Sequence, residues 1–381
     1  YRAHTDPRQA FPKAKICIYY FIGDDVKKLF LLLLLLLPLN VKAYSSSASS
    51  VVLMDMDSLN VIYSENMHDI RGVASISKIM TAIVAIENAD ITSTVTIGEE
   101  ITKAYGSGIY IKQGEEMTLE ALLYGLMLRS GNDAALAIAN YVGGDVDSFV
   151  EMMNQKAVEI GMKNTTFNNP HGLDENGGNL STAYDMAILT SYAMQNETYK
   201  KITSTKSYTV KTNMNYYSWV NKHRLLHSNK YVTGGKTGFT NTARRTLVTT
   251  ASLNNVNLVV VTLNDGNDFN DHISLFDEAF ANYSNYQILK KGEIEIIDEK
   301  YYLDQLYIEN DFYYTLNNNQ KIEVLLNFKL EKKQDYNSND CVGIVEIIIN
   351  NKKVSEEKIY VQKKEKVGFW QKLKEWFSNL W

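Results

Sequence analysis

The sequence contains the stretch ASISKIM at residues 74–80, in which a lysine follows a serine by three positions. Its apolar residues continue with helical spacing into the residues that follow, which predicts a helix with Ser75 at its N-terminus. Positions i and i+3 are neighbours on a helix face, so the Ser75 hydroxyl and the Lys78 amine are expected to meet. A desolvated lysine beside another cation can take the proton of a serine and make it a nucleophile. The spacing indicates a catalytic pair, although one such motif alone is more often a solvated helix face, and Ser355 and Lys358 also fit it.

Two further motifs follow this pair along the chain. Ser-Gly-Asn at 130–132 ends a helix predicted over 118–129, and Lys-Thr-Gly at 236–238 lies in a strand predicted over 230–237. Ser-x-Asn recurs elsewhere in the sequence, whereas Lys-Thr-Gly occurs once. The three motifs in this order are the set found in penicillin-binding proteins and class A β-lactamases.

The residues around the three motifs resemble the low-molecular-weight penicillin-binding proteins that are D-alanyl-D-alanine carboxypeptidases. The resemblance covers roughly residues 50–282 and is carried by five segments: ASISKIMTA (74–82), LMLRSGNDAA (126–135), NPHGL (169–173), STAYDMA (181–187) and GKTGFT (235–240). It implies an α+β fold, with a β-lactamase/transpeptidase-like sheet and a helical cluster. It also implies that the substrate is a peptidoglycan stem peptide ending in D-Ala-D-Ala, that β-lactam antibiotics bind, and that no cofactor is needed.

The resemblance assigns catalytic roles to the motif residues. Ser75 would attack the carbonyl of the terminal D-Ala-D-Ala bond and form an acyl-enzyme, which water then hydrolyses. Lys78 would accept the serine proton, because the nearby charge of Lys236 lowers its pKa. Ser130 would relay a proton to the leaving D-alanine, and Asn132 would orient Lys78 and the substrate amide.

The same resemblance assigns substrate binding to the Lys-Thr-Gly strand. Lys236 and Thr237 would receive the C-terminal carboxylate of the substrate, which a cation and a hydroxyl can pair. Gly238 would let the strand approach the ligand closely. The backbone amides of Ser75 and Phe239 would form an oxyanion hole.

The chain departs from the family pattern after this strand. Many members have Ala-Gly where this sequence has Ala243-Arg244-Arg245, a variant that looks like a sporulation-associated branch. Arg244 or Arg245 either adds to carboxylate binding or is a solvated arginine. A histidine often seen before the Ser-Thr-Ala segment is replaced by Asn179, so we assign that segment no catalytic role.

Composition and residue spacing argue against nucleic-acid binding and against a metal site. The net charge of −5 gives no overall basic field for nucleic acid. The six histidines show no His-Glu-x-x-His spacing and there is no cysteine cluster, so no metal site is predicted. Of the two cysteines, Cys17 precedes the signal-peptide cleavage site predicted within 26–43, so the mature chain keeps only Cys341. A single cysteine suits an exported bacterial protein that is stabilised by its core.

The predicted elements suggest two domains. Strands at both ends of 45–284 with helices between them indicate one sheet built from both termini of a penicillin-binding catalytic domain. From 286 to 362, short β-rich runs alternate with Asn-rich and charged turns, and no reactive cluster is present. We interpret 286–362 as a small β-rich domain with a structural or spacing role.

The N-terminal region is predicted to direct export. Residues 26–43 have two lysines, an apolar run and a small residue at a plausible cleavage point, which indicates a signal peptide. The apolar run of about eleven residues is too short for an ordinary membrane span. Our hypothesis is that translation begins at Val26 and that 1–25 is untranslated upstream frame; the alternative is a genuine N-terminal extension.

The C-terminal region, 363–381, is predicted to form an amphipathic helix. It holds three of the four tryptophans, and its aromatic residues recur along one face, opposite a partly cationic face. Such a helix suits the bilayer interface, so 366–381 is predicted to bind the outer face of the cytoplasmic membrane. The alternative is a terminal helix packed on the second domain.

Two other functions stay open from the sequence. A class A β-lactamase shares the three motifs but uses an additional glutamate to activate water. The predicted extra β domain and membrane-lying tail would be unusual for such an enzyme. A catalytically silent cell-wall binding protein of the same fold would be expected to lack a reactive residue, whereas all of them are present here.

Overall fold

The computed structural model describes residues 44–296, 299–302 and 305–362, and the chain divides into two compact units between Ser284 and Asn285. The predicted segments 1–25, 26–43 and 363–381 lie outside the described residues. Within the described part of the chain, no helix combines the length and the apolar character that crossing a membrane requires.

A five-stranded antiparallel sheet forms the centre of the first unit, in the order β2-β1-β11-β10-β9. Its strands are β1 (Ser50–Asp55), β2 (Val61–Glu65), β9 (Val232–Thr240), β10 (Arg244–Leu253) and β11 (Val256–Leu263). The first two strands of the unit therefore pair with its last three. This topology confirms the predicted α+β class, with one sheet assembled from both ends of the domain.

Both faces of this sheet are covered, which explains the uninterrupted apolar run of β1. Alternate residues of a strand point to opposite faces. Val52 and Met54 belong to the large core under the helical cluster, whereas Val51 and Leu53 pack with Phe276 and its neighbours on the last helix. All six residues of β1 are buried.

The helical cluster lies between the two halves of the sheet in sequence. Its helices are α1 (Lys78–Asn88), α2 (Leu119–Arg129), α3 (Asn132–Gly143), α4 (Val146–Glu159), α5 (Ala183–Ala193), α6 (Glu197–Ser204) and α7 (Arg224–Ser228), and α8 (Asp268–Asn282) follows the sheet. Short strands accompany them: β3 (Arg71–Gly72), β4 (Thr94–Thr96), β5 (Glu116–Thr118), β6 (Leu180–Ser181), β7 (Ser207–Lys211) and β8 (Tyr216–Val220).

Two predicted helix starts differ from the structure. Ser75 lies in a 3₁₀ turn (Ala74–Ser77), and α1 begins only at Lys78, because the left-handed Ala74 (φ 49°) starts a tighter turn there. The sequence also predicts a helix over about 182–195 capped by Ser181, and this cap is wrong. Ser181 pairs in β6, and the hydroxyl of Thr182 instead accepts from the backbone N–H of Asp185 at 3.0 Å.

The second unit is rich in β-structure. Its larger sheet has the order β13-β14-β18-β17-β16, and β12 pairs with β15. The strands are β12 (Tyr283–Leu289), β13 (Gly292–Glu293), β14 (Leu306–Ile308), β15 (Phe312–Asn317), β16 (Val324–Leu330), β17 (Cys341–Ile349) and β18 (Lys352–Val361). Val345, Ile347 and Ile359 are fully buried at the centre of this unit. Its structural or spacing role stays a prediction.

Candidate active site

Three side chains and one backbone carbonyl meet at the start of α1. The Nζ of Lys78 lies 3.0 Å from the Oγ of Ser75 and 2.7 Å from the Oδ1 of Asn132, and it also contacts the carbonyl oxygen of His171. The Nδ2 of Asn132 donates to the carbonyl oxygen of Tyr105 at 2.6 Å. This second hydrogen bond fixes the amide with its oxygen towards Lys78.

The surroundings of Lys78 favour a neutral amine. The side chain is fully buried, and burial, reinforced by the charge of Lys236, holds the pKa of Lys78 well below the usual value for a lysine. The Asn132 amide oxygen and the His171 carbonyl oxygen can only accept hydrogen bonds, so a neutral amine gives them its two N–H groups. Its lone pair then faces the Ser75 hydroxyl, which is the arrangement that a general base requires.

A second serine–lysine pair joins α2 to β9. The Nζ of Lys236 donates to the Oγ of Ser130 at 3.0 Å and to the carbonyl oxygen of Thr237 at 2.8 Å. Ser130 follows α2 directly in a left-handed conformation (φ 64°), which ends the helix and leaves the residue between α2 and α3. Burial, together with the charge of Lys222, lowers the pKa of Lys236 to about 7.

The strand β9 passes directly beside the nucleophile at Gly238. A Cβ added there would lie 2.4 Å from the Oγ1 of Thr246 and 3.0 Å from the backbone nitrogen of Ser75. Any side chain at position 238 would therefore push the strand away from the Ser75 amide. Phe239 follows on the same strand with an exposed side chain.

A cavity of about 590 Å³ opens over these residues. Of the residues that the sequence selected, Ser75, Ser130, Thr237, Gly238 and Phe239 line it. The other three, Lys78, Asn132 and Lys236, are buried: the two lysines contact the cavity serines Ser75 and Ser130, and Asn132 contacts Lys78. All eight selected residues thus belong to one site.

Two cations that the sequence reasoning missed, Lys222 and Arg224, line the same cavity. The guanidinium of Arg224 lies 4.3 Å from the centre of the Phe269 ring, which also lines the cavity. Their signal in the sequence was the basic run at 222–224 shortly before the Lys-Thr-Gly strand, but only the fold shows that this loop returns to the cavity.

The two arginines after the strand differ from each other. The guanidinium of Arg245 binds both carboxylate oxygens of Asp268 at 2.7 to 3.1 Å and lines the cavity. Arg244 is exposed and has a left-handed backbone (φ 60°) in the turn between β9 and β10. Asp268 therefore neutralises Arg245, which leaves Lys222 and Arg224 as the better partners for an anion.

The loop 168–173 supports the general base Lys78, a role that the sequence reasoning also missed. The hydroxyl of Thr81, on α1, donates to the carbonyl oxygen of Pro170 at 2.6 Å. The side chain of Asn179 accepts from the backbone N–H of Asn168 and of Asn169, and donates to the carbonyl oxygen of Asn169. Asn179 thus holds the backbone of this loop at Asn168 and Asn169, two residues before the His171 carbonyl that contacts Lys78.

Buried histidines predict that the first unit loses stability in mild acid. Burial and the charge of Lys78 lower the pKa of His171 to about 3, and burial lowers that of His223 to about 4. The unfolded chain then binds more protons than the folded one once the pH falls below about 6.5. The contribution of these histidines to stability is constant above that pH and falls on acidification, by about 2–3 kcal/mol at pH 4.5 from His171 alone.

Urea unfolding at pH 7.5 and at pH 4.5 tests this prediction. Acidification is expected to destabilise His171→Asn by about 2–3 kcal/mol less than the wild type. The exposed His68 provides the control, since His68→Asn should keep the wild-type pH dependence. An equal acid loss in wild type and His171→Asn would contradict the prediction.

The chain is similar to known proteins in sequence. A family model described as D-alanyl-D-alanine carboxypeptidase matches residues 39–267. The chain is similar to D-alanyl-D-alanine carboxypeptidase DacF of Bacillus subtilis, with 34% identity over 255 residues that cover 65% of each chain. It is similar to DacB2 of Mycobacterium tuberculosis, with 34% identity over 61% of this chain and 82% of the relative.

The structure also resembles a solved penicillin-binding protein. The crystal structure of penicillin binding protein 5 from Haemophilus influenzae superposes with a TM-score of 0.70 at 26% identity, over 85% of this chain and 99% of that one. The matched region therefore extends beyond the cavity-bearing unit into the β-rich unit.

Proposed function

The chain belongs to the D-alanyl-D-alanine carboxypeptidase family of serine peptidases, and from that premise we propose that it removes the terminal D-alanine from peptidoglycan stem pentapeptides. The observation that carries the proposal is the placement of Lys78, whose Nζ lies 3.0 Å from the Oγ of Ser75 beside a cavity also lined by Ser130 and Thr237. Nothing in this placement needs a cofactor.

The proposed acylation moves one proton along a defined route. The Oγ of Ser75 attacks the carbonyl carbon of the terminal peptide bond while Lys78 takes the hydroxyl proton. The backbone amides of Ser75 and Phe239 stabilise the oxyanion. The C–N bond then breaks, and Ser130 passes a proton to the leaving amine of D-alanine and regains from Lys78 the proton that Ser75 gave up. The products are free D-alanine and an ester on Ser75.

The free carboxylate of the substrate selects the cleaved bond. Lys236 and Thr237 are proposed to bind this carboxylate, since a cation and a hydroxyl pair with it. Lys222 and Arg224 add positive charge to the same cavity. A peptide without a free C-terminus would leave these cations unpaired, so we propose that cleavage is confined to the last residue.

The cavity disfavours the β-lactamase alternative. Among the described residues that line it, Asp268 is the one carboxylate, and Arg245 binds both of its oxygens. No glutamate of the described residues lines the cavity to activate water against a β-lactam ester. We therefore propose that penicillins form a long-lived adduct on Ser75.

The setting of the reaction is part of the proposal. We propose export through the segment 26–43 and action on the cell wall at the outer face of the cytoplasmic membrane, with 366–381 as the surface-binding segment. The substrate supports this location, because peptidoglycan stem peptides lie outside the cytoplasm.

The function is tested with a synthetic pentapeptide ending in D-Ala-D-Ala and with a fluorescent penicillin. We expect one D-alanine released per peptide and a penicillin adduct that peptide mapping places on Ser75, both absent from Ser75→Ala. Ser77→Ala, two positions away, is the matched control and should retain labelling. Rapid turnover of penicillin would favour the β-lactamase, and a wild type as inactive as Ser75→Ala would favour the silent binding protein.

A further inference from the structure

We infer that His223 is a positioning residue for Lys236: its buried imidazole is wedged against Gly235 of β9 and Val248 of β10, and it sets the place from which Lys236 reaches Ser130. The inference deepens the proposed function and rests on it.

The strand β9 is irregular just before Lys236. The register between β9 and β10 shifts between Thr250 and Ala251, and Gly235 has a φ of 142°, which L-residues rarely adopt. The backbone N–H of Gly235 donates to the Oγ1 of Thr203 on α6, and that hydroxyl also lies 3.3 Å from the Gly235 carbonyl oxygen. The strand is therefore held here by a helix side chain.

The imidazole of His223 occupies the space that a side chain at 235 would need. A Cβ added to Gly235 would lie 2.8 Å from the Nε2 of His223 and 2.1 Å from the carbonyl oxygen of Val248. The Nε2 lies 3.1 Å from that same carbonyl oxygen. The ring thus lies against both strands, beside the paired residues Gly235 and Thr249 and within hydrogen-bond distance of the Val248 carbonyl oxygen.

The contact fixes the tautomer of His223. A carbonyl oxygen can only accept, so the Nε2 of His223 carries the hydrogen that it donates to Val248. The Nδ1 is buried and has no hydrogen-bond partner among the described residues. His223 is therefore a neutral donor that packs and orients rather than a group that exchanges protons with the substrate.

The imidazole wedge contacts two residues next to Lys236, one along β9 and one across the sheet on β10. Val248 is the register partner of Lys236, and Gly235 is its neighbour in the chain. The side chain of Lys236 must end 3.0 Å from the Oγ of Ser130 for the proposed proton relay. A shift of β9 against β10 at the wedge changes this distance, and misplacements of about 1 Å can cost 10²-fold in rate.

The chain offers a matched control in the same buried network. His272, on α8, is also fully buried, and its Nδ1 lies 2.8 Å from the Oγ1 of Thr249, a hydroxyl that His223 also contacts. His272 touches neither β9 nor the register partner of Lys236 in the hydrogen bonds of the described residues. A loss of core stability alone would affect both histidine sites alike, whereas a positioning role is confined to His223.

The experiment measures the rate constant of penicillin acylation, kcat and KM for D-alanine release, and Tm for four variants. His223→Met removes the donor and keeps much of the volume, and we expect acylation and kcat to fall about tenfold or more with KM changed less than about threefold. His223→Gln keeps an N–H donor and should recover most of the rate. His272→Met should lower Tm while acylation stays near the wild-type value.

Thr203→Val removes the hydroxyl that accepts from the Gly235 N–H and nearly keeps the side-chain volume. It tests the positioning of Lys236 if His223→Met does not fold. Its acylation rate is also expected to fall. The inference is overturned if His223→Met acylates at the wild-type rate, if His223→Gln recovers nothing, or if His272→Met loses as much rate as His223→Met. A wild type that forms no adduct would refute the proposed function instead, so the two failures are distinguishable.

Discussion

Replacing Lys78 with methionine is expected to slow the acylation of Ser75 by about 10³-fold or more, since the removal of a general base from a nucleophile pair costs this much in comparable serine enzymes. The side chain of Lys78 is fully buried, and methionine has a similar length without the amine. The loss is therefore chemical, because the cavity over Ser75 keeps its packing. Stopped-flow or mass-spectrometric measurement of penicillin adduct formation gives the rate directly.

Asn132→Leu is the control that separates the base from its support. It removes the amide oxygen that accepts from Lys78 at 2.7 Å but leaves the amine beside Ser75, so a smaller loss of rate is expected. Equal rates in wild type and Lys78→Met would show that another group takes the serine proton, and the assignment of Lys78 would then be abandoned.

The wild-type rate should also rise with pH through the range in which Lys78 loses its proton. Burial and the charge of Lys236 place this range well below that of an ordinary lysine, so the neutral base becomes available at a lower pH than it would for a solvated lysine. Acid also destabilises the protein through its histidines, and this separate effect begins below about pH 6.5. The rate profile is therefore measured only where the protein remains folded.

The sequence predicted the parts of the site that side chains carry. Ser75 and Lys78 were paired by their spacing, and the three motifs selected seven of the eight residues that the fold gathers around one cavity; Phe239 was selected by the resemblance. The helical spacing of Val146, Phe149, Val150 and Met153 also predicts a helix over 146–160. This helix and the one predicted over 118–129 match α4 and α2 within a residue.

The sequence did not predict the contacts that the backbone makes. The carbonyl oxygen of His171 is a partner of Lys78, yet any residue type has a carbonyl, so no letter in NPHGL marks it. The helix α6 and the strand β8 were also missed. The strand alternates exposed and partly buried residues, and only Trp219 is fully covered, so its apolar signal is weak. The positions of Lys222 and Arg224 depend on the path of the loop after β8.

Gly172 shows how a backbone requirement becomes a measurable effect, and Gly172→Ala is expected to lower the free energy of unfolding by about 3–5 kcal/mol. Gly172 has a φ of 83°, and an added Cβ would lie 2.0 Å from the carbonyl oxygen of Ala74 and 2.5 Å from the Oγ of Ser77. Both atoms belong to the 3₁₀ turn that holds Ser75. The turn must therefore move, and acylation by penicillin should slow together with the loss of stability.

Gly161→Ala separates the strain of the backbone from the clash. Gly161 has nearly the same φ, 84°, but an added Cβ there would meet no atom within 4 Å. It is expected to cost only about 1 kcal/mol, the penalty of a left-handed alanine, and to leave acylation unchanged. Urea unfolding and penicillin labelling of both variants check this. Similar losses at the two glycines would mean that the 3₁₀ turn yields freely, and the close packing of loop 168–173 against Ser75 would then not be what holds the nucleophile.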